Sequence, residues 1–116
     1  MMDASFLAEL RTWAEQARVD FEDRAEWARD GKREQTAEVA SLAARTFADL
    51  RTICNRRLAA QRARLAEAFE EAVDKRGAIV REHGAWTMIA HYHEEREHAA
   101  WQALTDFDAA TKGGEG

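Results

Sequence analysis

Apolar positions between Thr36 and Arg76 keep a single helical phase. Val39, Leu42, Thr46, Leu50, Cys54, Leu58, Gln61, Leu65, Phe69 and Ala72 follow one another at steps of three or four. The mean step is roughly 3.7 residues, the stripe of a nearly straight helix and close to an 11-residue repeat. Gly and Pro are absent from this stretch, and a turn inside it would reset the phase. The pattern therefore predicts one long helix over 36–76. The alternative is a break at Cys54-Asn55-Arg56, because Asn tolerates the left-handed conformation, which would give four helices of similar length.

Shorter amphipathic stretches flank the long one. A first helix begins near Asp3 or Ser5, either of which can cap its first turn. Phe6, Leu10, Trp13, Ala17, Phe21 and Ala28 mark its inward stripe, with Leu7 and Trp27 at the margins and Arg24 inside it. Asp30-Gly31-Lys32 stops it, Gly31 being the natural left-handed residue past a helix end. Lys75-Arg76-Gly77 closes the long helix, leaving Ala78 to His83 as a short turn or a continuation and Gly84 as a second hinge. A last helix over 85–111 buries Trp86, Ile89, Ala100, Trp101, Leu104 and Phe107. The reading is all-α: an antiparallel helical bundle of three helices with one long central helix, or a four-helix bundle with a break near Asn55. It forms a single domain over 1–112 with a flexible tail at 113–116.

Composition sharpens this picture. The 116 residues contain no Pro and 25 Ala, so the 46% hydrophobic fraction overstates the bulk of the core. A helix over 36–76 would be roughly 60 Å long and either outer helix about 40 Å. No single partner helix covers it, so two helices on different stretches, or a second copy of the chain, must do so. All four Trp lie in the outer helices, and the expectation is that they pack against the Ala-rich middle helix. Cys54, the one cysteine, falls on the apolar stripe as a small buried hydrophobe. No run is long enough to span a membrane, and Met1 to Phe6 has neither a basic nor a hydrophobic leader region, so a reducing cytoplasm is expected.

The net charge of −5 is unevenly spread. Residues 1–30 carry eight acids and four bases, and residues 84–116 carry six and two. Between them, residues 45–64 hold six Arg against Asp49 alone. A basic waist between acidic ends bears on docking and partners. Direct nucleic-acid binding is disfavoured, because the six Arg are scattered round the helix and aromatic residues do not interleave with them. The simplest reading folds the ends back to neutralise the waist. The other sends a row of Glu15, Glu22, Asp23, Glu26 and Asp30, with Arg56 and Arg57 of the waist, to a protein partner. Such an acidic row could meet a basic nucleic-acid-binding complex, and small acidic helical inhibitors, including phage-borne anti-CRISPR proteins, work in this general way.

All four His, at 83, 91, 93 and 98, fall within 16 residues alongside Glu94, Glu95 and Glu97. Helical spacing puts His91, Glu94, Glu95 and His98 on a face opposite the apolar stripe, and His93 and Glu97 within the stripe. The latter two are expected to form a buried pair that fixes register, with an arginine of the waist or Arg24 as further partner. The run Glu94-Glu95-Arg96-Glu97-His98-Ala99 resembles the Glu-x-x-His element of ferritin-like di-iron proteins, here Glu95 and His98. That resemblance implies a two-iron site using Glu95 and His98, with a symmetric dimer supplying the second element the sequence lacks. Apart from the resemblance, His91, Glu95 and His98 could together form a surface site for Zn or Ni, so Zn or Fe stands as the alternative cofactor. The competing reading is a solvated face and no cofactor. Phosphate loops, nucleophile elbows and Cys/His pairs at useful spacing are missing, so an enzyme is not expected. The favoured function is a non-enzymatic helical protein-protein interaction module, a homodimer acting through its helix surfaces, with no membrane partner. A metal-binding protein and an acidic inhibitor stand behind it.

Overall fold

A computed structural model describes residues 3–112. Over that range the chain is all-helical: α1 spans Ala4–Asp30, α2 Glu34–His83 and α3 Met88–Lys112. The tail expected at 113–116 lies outside the described residues. Contacts gather into two compact units. One holds the chain up to Leu58 together with Thr111, and the other is Ala59–Ala110.

Helix ends follow local chemistry, with three departures from expectation. Asp3 is the N-cap residue of α1, in extended backbone, but its side chain makes no capping bond. The first turn closes instead through the Leu7 amide on the Asp3 carbonyl, at 3.0 Å. At the other end the Gly31 amide still donates to the Trp27 carbonyl at 3.1 Å, so the reversal falls one residue later than expected. Lys32 takes the left-handed conformation with φ 57°, while Gly31 sits at φ −84°. The last helix begins at Met88, because the Thr87 hydroxyl accepts the Ala90 amide at 3.2 Å as an N-cap. Ala85 and Trp86 precede it.

The long helix runs for 50 residues, straight through Asn55. The four-helix alternative is therefore not adopted. It also passes Gly77, the expected stop. A glycine inside a helix costs about 1 kcal/mol against Ala, which one position among good helix formers can carry. Termination waits for Gly84, whose φ of +89° is open only to glycine at little cost.

Inward-facing positions in each helix repeat every seven residues. In α1 the covered positions are Leu7, Arg11, Ala14, Arg18, Phe21, Ala25 and Ala28, with Ala8 buried beside Leu7. In α2 they are Ala37, Ala40, Ala44, Phe47, Arg51, Cys54, Leu58, Gln61, Leu65, Phe69, Ala72 and Arg76, with Leu50 half-buried beside Arg51. In α3 they are Ala90, His93, Glu97, Ala100, Leu104, Phe107 and Thr111. From Ala37 to Arg76 the α2 set covers 39 residues in eleven steps, a mean of about 3.5, nearer the heptad than the 11-residue spacing. In α1 the expected Phe21 and Ala28 are covered, whereas in its first half Leu7 and Ala14 go inside in place of Phe6 and Trp13, which are 51% and 53% exposed. In α2 the expected stripe is correct from Leu50 onward, but Val39 and Leu42 remain 68% and 61% exposed.

Small side chains explain the displacement. Ala14, Ala25, Ala28, Ala37, Ala40 and Ala44 are buried, and small side chains at such positions let helices approach closely. Larger neighbours are excluded from those positions. Trp13, Trp27, Trp86 and Trp101 are all exposed, against the expectation that they fill the core. Cys54 is 1% exposed, as a small buried hydrophobe should be.

Candidate interaction surfaces

Within the unit that ends at Leu58, α1 and α2 meet through named pairs. Arg11 Nη1 donates to Asn55 Oδ1 at 3.3 Å, and Arg51 Nη1 to Glu15 Oε2 at 2.6 Å. Phe21 stacks on Phe47 with ring centroids 5.6 Å apart, and Trp13 meets the same ring edge-on at 5.1 Å. Arg11 Nη2 also donates to the Thr111 carbonyl at 3.0 Å. Within Ala59–Ala110, Arg62 Nε donates to Asp108 Oδ1 at 2.9 Å, and Arg76 donates to Glu97.

These pairs consume part of the charge pattern. Glu15 is held by Arg18 and Arg51, and Glu22 by Arg18 Nη1 at 2.7 Å. The hydrogen bond from Arg18, helped by the positive charge of Arg51, keeps the Glu15 carboxyl below its ordinary pKa. Asp23, Glu26 and Asp30 are exposed, and among the described residues none of the three is in an ion pair. In the waist, Arg51 and Arg62 are neutralised by residues of the outer helices. Hydrogen bonding to Asp108 raises the Arg62 pKa accordingly. Arg56 and Arg57 are exposed.

The histidine cluster divides as helical spacing expects, with His91, Glu94, Glu95 and His98 exposed and His93 and Glu97 partly covered. His91 Nε2 lies 3.1 Å from Glu95 Oε1, both side chains well exposed. His98 turns to stack on Trp101, with centroids 5.9 Å apart. Among the described residues, no group of three or more His, Cys, Asp and Glu side chains is gathered as a metal cage. His93 and Glu97 are half-buried on the covered stripe of α3, as their spacing requires. Glu97 takes Arg76, outside the 45–64 waist, as its partner in place of His93, while the His93 ring rests edge-on against Tyr92 at 5.3 Å.

Two surfaces escaped the sequence reading. The first is the turn before α3, where Trp86 is fully exposed beside an exposed Met88. The second is the outer face of α2, opposite its alanine stripe. There Glu38, Leu42, Arg45, Asp49, Ile53 and Arg56 are all exposed. Following the small residues at heptad spacing, in place of the large ones, would have revealed it. Among the described residues no helix is long and apolar enough to cross a membrane.

No protein-family model matches the chain, and no curated protein and no solved structure is similar to it.

Proposed function

We propose that the chain is a non-enzymatic helical interaction module whose partners are proteins, a second copy of itself among them. One observation carries the reading: alanine takes many of the covered positions, and a set of large apolar side chains stands outside. Trp27, Val39, Leu42, Ile53, Trp86 and Met88 are exposed. Exposed aromatic and aliphatic side chains ringed by charge are the composition of a docking surface, where such groups supply most of the binding energy.

The internal arrangement of the module is a three-helix antiparallel bundle with α2 at its centre. Partner order supports it. Residues 11, 15 and 21 of α1 meet 55, 51 and 47 of α2, and residues 62 and 76 of α2 meet 108 and 97 of α3. In every case numbering rises on one helix as it falls on the other.

Light scattering over a concentration series tests the module reading. It expects a particle of twice the 13.2 kDa chain mass as concentration rises. A mass of one chain at every concentration contradicts it.

A further inference from the structure

The outer face of α2 carries a sequence of charges that is complementary to itself. Glu38, Leu42, Arg45, Asp49, Ile53 and Arg56 are separated by steps of three and four. At 100° per residue they fall within a stripe about 80° wide. That stripe is centred opposite the covered stripe of Ala37, Ala40, Ala44, Phe47, Arg51 and Cys54. All six of its residues are exposed. Among the described residues, none of the four ions makes an ion pair within the chain.

Read in one direction, the stripe runs acid, apolar, base, acid, apolar, base. Turned end over end it runs base, apolar, acid, base, apolar, acid. We propose that a second copy of the chain docks on this face with its α2 antiparallel, about a two-fold axis near residue 47. Each Glu38 then faces Arg56 of the other copy, each Leu42 faces Ile53, and each Arg45 faces Asp49. A two-fold makes every contact occur twice, as an isologous interface requires. The pattern also rejects the alternative orientation: a parallel pairing sets each charge against its own kind, which is unfavourable.

The inference rests on the module reading above and names its partner and its face. From Glu38 to Arg56 the stripe is about 28 Å long at 1.5 Å per residue. One helix face on each side makes a small interface held largely by exposed charge pairs, so the association weakens as salt rises.

Two charge-reversal variants test it. Arg45→Glu with Arg56→Glu makes the stripe wholly acidic, and Glu38→Lys with Asp49→Lys makes it wholly basic. All four positions are exposed, and unchanged helical circular dichroism confirms that each variant folds. The expected result is a dimer for the parent chain and at least about 100-fold weaker self-association for each variant alone. An equimolar mixture of the two returns to twice the chain mass. If the parent is a dimer and both variants remain dimers alone, or their mixture stays monomeric, this face is overturned while the module reading stands. A parent chain that never exceeds one chain mass removes both.

Discussion

Arg51 Nη1 donates to Glu15 Oε2 across 36 residues of chain at 2.6 Å, tying the middle of α1 to the middle of α2. Arg18 holds the same carboxylate from one turn away on α1, so a single acid neutralises a waist arginine while bonded within its own helix. The acidic end thus folds onto the basic waist at this point, and the bridge reports on the packing of α1 against α2.

That bridge predicts a pH signature. The folded pKa of Glu15 lies below its ordinary value of 4.5, so its stabilisation is present above that value and is lost as pH falls through the depressed folded pKa. Glu15→Gln should lower stability near neutral pH by no more than about 1 kcal/mol, because the pair is part-exposed. The difference from the parent should vanish in strong acid. Urea unfolding followed across the acid range measures both.

Backbone strain at the two turns predicts substitutions of opposite sign. Gly84 holds φ +89° with open space where a Cβ would stand, so Gly84→Ala should destabilise by about 1 kcal/mol through strain alone. Lys32 holds φ 57° without being glycine, and Lys32→Gly should stabilise by a fraction of that, on the order of 0.5 kcal/mol. Thermal unfolding of the two variants side by side checks the signs.

Cys54 should behave as a core residue. It is 1% exposed, and burial pushes its thiol pKa up, so little reactive thiolate is presented. An aromatic disulfide reagent should react slowly with the folded chain and rapidly in denaturant. Cys54→Ser, which buries a hydroxyl in the same place, should cost about 1–3 kcal/mol.

Trp86 should be silent in stability and loud in fluorescence. It is fully exposed, so Trp86→Ala should change unfolding free energy by less than about 0.5 kcal/mol. Of the four Trp→Ala variants, this one should remove the largest share of acrylamide quenching.

Existence and type of the helices were legible because Thr36 to Arg76 contains neither Gly nor Pro and keeps its phase. Which side faces inward was less so. Side-chain size pointed to Phe6, Trp13, Val39 and Leu42, whereas close approach of the helices selects Leu7, Ala14, Ala37 and Ala40. Alanine's small apolar area gives a faint signal in any hydrophobicity pattern, although it decides which backbones can touch. Gly77 misled for a related reason: its local penalty is real but small against a long run of helix formers. For Glu97, burial on the stripe was foreseen. Arg76 could not be singled out, because which arginine reaches a given acid depends on helix register, and spacing within one helix does not contain it.

The account depends most on α2 running unbroken through Asn55, since a bend there would carry Arg56 off the outer face and divide the heptad stripe. Backbone carbon chemical shifts over 50–60, measured by nuclear magnetic resonance, test this directly. Helical values at every position from Leu50 to Ala60, Asn55 included, are predicted. Random-coil or left-handed values at Asn55 and its neighbours would contradict it.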